Sequence, residues 1–263
     1  MTDNQQALTL SKIMCTKQFG PYALQRGCDI PTIAALSTGL PELDSALGIG
    51  GIPVGRIVEI YGPPSAGKTA LALQIAKQAG TALFIDAERA LCRDSLPGCE
   101  DIHTATVDTL QDALRLIQMA APAFDVIILD TLTALPVSEE LTVQMGELCS
   151  NTPAKVLSAA LPRLSSLLSR HNCTLILVNQ TRTNAGVIYG NPEKVPGGNA
   201  LKHYASVRLE VRCMEYTTTA RTRTGQIIRM TVVKNKCAPA FRSAAASLDF
   251  GKGFLPYERA FTA

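Results

Sequence analysis

Residues 61–77 read YGPPSAGKTALALQIAK, and the first half of that stretch decides the fold. Gly62, Pro63, Pro64, Ser65, Ala66, Gly67, Lys68 and Thr69 together satisfy G-x-x-x-x-G-K-[ST], the loop that cradles the phosphates of a nucleoside triphosphate. The chemistry asks for this order. A glycine-rich turn lets backbone N–H groups point at phosphate oxygens, and the helix that follows adds its dipole. Lys68 is then placed for the β- and γ-phosphates and Thr69 for Mg²⁺. A chance match would lack the flanks found here: RIVEIYG (56–62) reads as a strand, and residues 68–78 carry a helical pattern after it.

Working outward, TALFID (81–86), DVIILD (125–130) and CTLILVN (173–179) are nearly continuous apolar runs. Such runs mark strands buried on both faces, as in a parallel sheet covered by helices. Between the last two lies a helix candidate, 153–170, with Leu157, Leu161, Leu164 and Leu168 at three- and four-residue spacing. Asn151 or Thr152 is its expected cap, and Pro153 suits its first turn. The expected architecture is α/β, a mostly parallel twisted sheet flanked by helices. YASVRLEVRCMEY (204–216) and GQIIRMTVVKNK (225–236) alternate with period two, which predicts an antiparallel extension of that sheet. TRTNAGVIYGNPEKVPGGNA (181–200) has no apolar period and is too long for an ordinary connection, so it is expected to be a functional loop without structure of its own.

Acids close two of the strands. Asp130 ends VIILD, the usual place for the acid of the Mg²⁺ shell. Glu88, in FIDAERA, is placed to orient an attacking water as general base. Asp86 is its rival, and periodicity leaves the choice between them open.

The bulk numbers bound the answer. With 263 residues, 46% of them hydrophobic, the chain can bury a substantial core. No run approaches the roughly 18 apolar residues of a membrane span, and MTDNQQALTLSK lacks the pattern of a secretory signal. The expectation is a soluble cytoplasmic protein with no membrane partner. Eight cysteines without a C-x-x-C pair give no zinc signal and are expected to be reduced core thiols. The net charge of +3 names no partner, but its distribution is uneven. Residues 81–150 hold twelve Asp or Glu against three Arg, whereas residues 182–242 hold eleven Lys or Arg against three Glu. This split suits a face that binds a polyanion, or subunits stacked acidic side to basic side.

Seven blocks carry a resemblance: LSTGLPELDSALGIGGIPVGRIVEIYGPPSAGKTALALQ, FIDAERAL, VIILDTLTAL, LVNQTR, YGNPE, GGNALKHYASVRLEVR and VVKNKCAPAF. In this order and spacing they are similar to the RecA recombinase family, from about Lys17 to Phe254. The resemblance implies a RecA-like ATPase core forming helical filaments on single-stranded DNA. ATP and Mg²⁺ would lie between neighbouring protomers, and DNA-dependent hydrolysis would accompany pairing and strand exchange with homologous duplex DNA. In the family pattern Glu88 matches the catalytic glutamate, Asp130 the magnesium acid, and Gln180 the glutamine that senses the γ-phosphate. Lys234 and Lys236 match the pair reaching a neighbour's phosphates, and Phe250 would stack on the base. For single-stranded DNA the matched residues are Arg182, Gly197, Gly198 and Asn199, and Thr183, at a position where the family has another residue, is a further candidate. A first DNA loop at 143–150 leads into a helix carrying Lys155, Ser158 and Arg163. Arg212 and Arg229 match a second, duplex-sampling site.

The sequence also departs from that pattern. Pro162 stands where the family has a second phosphate-binding arginine, Thr183 and Ala185 replace bulky wedge residues, and Cys213 and Thr231 replace basic ones. His203 replaces an interface aromatic, and the acid and aromatic that hold adenine are missing around 92–95. The implied organisation is an N-terminal oligomerisation helix and linker (1–34, with 8–20 as the docking arm and its apolar face) and a core (35–263), without the family's C-terminal lobe. An accessory filament protein lacking strand exchange is the alternative. A ring helicase suits the phosphate loop but not the blocks around 197–212 and 232–236.

Overall fold

The computed structural model describes residues 3–20, 24–30, 32–92, 98–99, 101–141, 152–183, 193–219 and 222–255. It divides into two compact units, Met1–Ile33 and Ala34–Ala263. In the first, helix α1 (Asp3–Phe19) has Asp3 in its first turn and Lys17 in its last, both favourable to the helix dipole. The arm expected at 8–20 therefore starts earlier, and it has no single apolar face. Leu8, Leu10, Ile13, Met14 and Phe19 are all exposed. At 100° per residue Leu8 and Phe19 share one side, while Leu10 and Met14 lie roughly opposite.

In the second unit β1 (Ala35–Leu36), α2 (Pro41–Leu47) and β2 (Ile52–Pro53) lead into the main sheet. There follow β3 (Ile57–Gly62), α3 (Lys68–Ala76), β4 (Ala82–Asp86), β5 (His103–Ala105), α4 (Leu110–Ala120) and β6 (Val126–Asp130). Then come α5 (Pro153–His171), β7 (Thr174–Gln180), β8 (Arg182–Thr183), β9 (Glu193–Lys194) and α6 (Gly198–Tyr204). The chain continues through β10 (Val207–Thr219), β11 (Thr222–Asn235), β12 (Ser243–Asp249) and β13 (Gly253–Leu255).

Nine strands form one sheet in the order β13-β12-β11-β10-β3-β7-β6-β4-β5. From β10 to β5 the pairings are parallel, and from β10 to β13 they are antiparallel. The α/β reading and its antiparallel extension both hold. Every residue of β3, β4 and β6 is buried, as the continuous apolar runs required. One face packs on Leu43 and Leu47 of α2 and Leu71 and Ile75 of α3. The other packs on Leu110 and Ile117 of α4 and Leu157, Leu161, Leu164 and Leu168 of α5. Thr152 caps α5 by accepting from the Lys155 N–H.

Two expectations need correction. Residues 181–200 are not structureless: β8 pairs with β9, Arg182 opposite Lys194, and α6 already begins at Gly198. The entry to α6 is fixed by Asn179, whose Nδ2 donates to the Pro196 carbonyl at 2.8 Å, and by left-handed Gly197 and Gly198, at φ 101° and 73°. Residues 184–192, which include Ala185, lie outside the described residues. Nor are the cysteines uniformly core thiols. Cys99 and Cys173 are buried, Cys28 and Cys92 are exposed, and Cys15, Cys213 and Cys237 are half-buried. Burial pushes the Cys173 thiol up to about 12, whereas Cys213 follows the point where β10 runs out beyond the core.

One buried ion pair ties the two halves of the sheet together. Arg208 Nε on β10 donates to Glu59 Oε2 on β3 at 2.5 Å, and Asn179 Nδ2 on β7 donates to Glu59 Oε1 at 3.1 Å. Glu59 is 1% exposed, so both of its oxygens need those partners.

Candidate functional site

Four of the parallel strands deliver their ends to one place. Beyond the carboxyl ends of β3, β4, β6 and β7 lies a cavity of about 500 Å³. Such a crevice is where open α/β sheets hold ligands. Its lining includes Pro64 to Ala70, Glu88, Asp130, Thr131 and Gln180. Gly62, ahead of the loop, leaves no room for a side chain: a Cβ there would lie 2.1 Å from the Val211 carbonyl oxygen. Lys68 is buried and its Nζ donates back to the Pro63 carbonyl of the loop at 2.6 Å. Burial pulls its pKa down, while Asp130 and Glu88 act to raise it.

Asp86 and Glu88 occupy different environments. Asp86 is buried and accepts from the backbone N–H groups of Ala90 (3.2 Å) and Leu91 (2.9 Å), so it fixes the turn after β4. Glu88 is exposed, and its Oε1 accepts from Gln180 Nε2 at 2.9 Å and from Thr131 Oγ1 at 2.8 Å. Only Glu88 of the two is joined to the end of β7.

Asp130 is the site's buried charge. Thr69 Oγ1 donates to its Oδ2 at 2.5 Å, while its Oδ1 is buried without a hydrogen-bond partner among the described residues. Burial raises its pKa from 3.8 to about 6, against the lowering effect of the Thr69 hydrogen bond. An orphaned carboxylate oxygen beside a hydroxyl fits Mg²⁺, which takes one or two protein oxygens and completes its shell with water and phosphate. Among the described residues no three His, Cys, Asp or Glu side chains gather into a metal cage.

Lys234 and Lys236 are not in this cavity. Lys234 Nζ donates to the carbonyls of Lys202 (2.5 Å) and His203 (3.0 Å), and Lys236 Nζ to that of His203 (2.8 Å). Both therefore sit at the C-terminal end of α6, where cations meet the helix dipole. Burial lowers the Lys234 pKa, and Lys236 and Arg208 add to that. Phe250, 56% exposed, lines the cavity together with Tyr216, Gln226 and Leu248.

The residues expected to meet DNA form two groups. Gly197, Gly198 and Asn199 lie at the start of α6 against α5: a Cβ on Gly198 would come within 2.9 Å of the Ala154 Cβ. Arg182 is exposed on β8, and Ser158 is exposed with its hydroxyl donating to the Ala154 carbonyl. Lys155 and Arg163 instead line a groove toward α4 with Gln111, Arg115 and Gln118. Thr183 is described by its place in β8 alone, and the first DNA loop at 143–150 lies outside the described residues. Arg212 and Arg229 are cross-strand partners, Arg212 paired with Glu210 at 2.9 Å and Arg229 exposed. Sequence reasoning missed Thr131, Asn179, Tyr216 and Gln226. For Gln226 a signal existed: it is a polar residue in the buried phase of an alternating strand.

Comparisons with known proteins show the family. Residues 6–255 match the model of the RecA N-terminal domain. The chain is 40% identical over 264 residues to Protein RecA of Geobacter sulfurreducens, covering 95% of this chain and 78% of that one. It is 44% identical over 255 residues to Protein RecA of Thermus thermophilus, covering 91% and 74%. Among solved structures, the RadB recombinase matches with a TM-score of 0.63 at 21% identity, covering 85% of this chain and all of that one, which supports the fold.

Proposed function

This chain belongs to the RecA family and is a DNA-dependent ATPase of recombination, and from that premise we propose how its residues divide the work. The nucleotide is ATP, held as its Mg²⁺ complex by the backbone of Gly62 to Gly67, Lys68 and Thr69. Thr69 and Asp130 would hold the Mg²⁺, which would supply neutralisation of the charge that develops on the transferred phosphoryl group. Glu88 orients the attacking water and takes its proton. Thr131 and Gln180 hold the Glu88 carboxylate in line, and the γ-phosphate competes for the Gln180 amide. Because Gln180 leads directly into β8, that competition is felt in the DNA loop. Lys234 and Lys236 leave the α6 carbonyls to reach the phosphates held by a neighbouring protomer. The protein is a helical filament on single-stranded DNA, contacted by Arg182, Thr183, Gly197, Gly198, Asn199, Lys155, Ser158 and Arg163. Arg212 and Arg229 sample homologous duplex, and Phe250 stacks on the base. Among the described residues no helix is long and apolar enough to cross a membrane, and the working compartment we propose is the cytoplasm.

The observation that carries this reading is the hydrogen bond from Gln180 to Glu88, which joins the catalytic acid to the strand that enters the DNA loop. The test is steady-state ATP hydrolysis with and without single-stranded DNA, followed by strand exchange between a circular single strand and homologous linear duplex. Strong stimulation with exchange products is expected. Hydrolysis indifferent to DNA would sink the coupling, and stimulated hydrolysis without products would favour an accessory filament.

A further inference from the structure

Gln226 has a side chain that the fold does not use. It lies on β11 in phase with Ile228, Met230 and Val232, all facing the core, and it is 2% exposed. Its Oε1 is buried without a partner, and its carboxamide makes no hydrogen bond among the described residues. A buried amide in that condition is unfavourable, and an apolar residue would serve the core better.

Its position points to a use. Tyr216, Gln226 and Leu248 stand directly across from one another on β10, β11 and β12. All three line the cavity that also holds the phosphate loop, Lys68, Glu88 and Gln180. The Nε2 group is beside the loop itself: a Cβ built on Gly67 would sit 3.2 Å from it. A carboxamide nitrogen carries two donors and no acceptor, so the chemistry that completes it there is an oxygen, and anionic phosphate oxygens make the strongest such partner.

We propose that Gln226 is a nucleotide-contact residue, its Nε2 donating to a phosphate oxygen of bound nucleotide beside Gly67. This rests on the reading of the cavity as the ATP site. It makes the antiparallel extension a wall of that site within one protomer, in addition to carrying the lysines that reach the next.

The test pairs ATP titration calorimetry in Mg²⁺ with thermal unfolding of the nucleotide-free protein, for the wild type and Gln226→Met, which keeps the length and removes both polar ends. ATP affinity is expected to fall by about tenfold, the worth of one hydrogen bond to a charged group. The nucleotide-free Tm is expected to stay level or rise, because an unsatisfied buried oxygen has been removed. Gln226→Ala, which cannot overpack the site, should lose the same affinity. Wild-type affinity in Gln226→Met overturns the proposal. So does lost affinity accompanied by a fall in the nucleotide-free Tm of Gln226→Met, which would make the residue a packing element. Failure of the wild type to bind ATP overturns the nucleotide site itself and is seen separately.

Discussion

Strands β3, β4, β6 and β7 end in side chains that meet one another, whereas the lysines at the end of β11 turn away from that meeting point. In the parallel half, Thr69 reaches Asp130, Gln180 and Thr131 reach Glu88, and all line one cavity. In the antiparallel half, Lys234 and Lys236 are held by carbonyls of their own α6. The difference teaches that one protomer brings the Glu88 acid, the phosphate loop and the orphaned Asp130 oxygen together, while its basic strand is held elsewhere, on α6. Parallel strands converge their carboxyl ends on a single crevice. An antiparallel extension distributes its side chains along a face.

The largest effects should come from breaking the parallel half. Lys68→Ala and Glu88→Ala are each expected to cut DNA-stimulated hydrolysis by about 10³-fold or more, read by single-turnover kinetics. Glu59→Ala attacks the joint between the halves. It leaves Arg208 uncompensated and should cost about 3–5 kcal/mol in denaturant unfolding. A loss under about 1 kcal/mol would mean that the buried pair does not hold β10 to β3.

Breaking the antiparallel half alone should leave the first half competent to bind. Lys234→Ala with Lys236→Ala is expected to lower kcat by about 10²-fold while ATP binding to the DNA-free protein stays at its wild-type level. Lost binding would place the lysines in their own protomer's site.

The pH dependence sharpens the contrast further, because the strained charge belongs to the parallel half. Asp130 titrates near 6 in the folded chain against 3.8 ordinarily, so the folded state holds the extra proton between those values. Its contribution to stability is therefore lost as pH rises through that window. Asp130→Asn carries no such loss and should stabilise the nucleotide-free protein by roughly 3 kcal/mol at pH 7, while removing Mg²⁺-dependent hydrolysis. Equal stability of the two proteins at pH 7 would contradict this.

The smallest effect concerns the two arginines of the extension. Arg229→Ala should weaken duplex binding by about 1 kcal/mol and lower the salt slope by about one. Arg212→Ala should do less, since Glu210 already compensates that charge. Equal losses would sink the distinction.

Legibility in the sequence followed the same division. The phosphate loop, Asp130 and Glu88 sit at ends of apolar runs, so local pattern found them and the fold brought them together. Periodicity leaves Asp86 and Glu88 open and the resemblance favours Glu88; in the fold the hydrogen bonds tell a turn-fixing acid from one joined to the end of β7. Thr131 was invisible for a related reason, since its meaning lies in a contact across 43 residues of chain, and Gln226 left only the trace of a polar residue in a buried phase, its use resting on cross-strand register opposite Tyr216 and Leu248. The direction of Lys234 and Lys236 was equally hidden, since alternation predicts which face of a strand is solvated and not which carbonyl a long cation finds. The order within 181–200 escaped because an Asn side chain and left-handed glycines, rather than apolar periodicity, produce it.

The central claim is that each ATP site is finished by the next protomer, and a mixing experiment tests it directly. Lys68→Ala protein and the Lys234→Ala/Lys236→Ala protein are each assayed alone and then in equal mixture on single-stranded DNA. The account predicts near-zero hydrolysis from each alone and recovery to about a quarter of wild-type activity in the mixture, the share of head-to-tail interfaces with both halves intact. A mixture as inactive as its parts would contradict it.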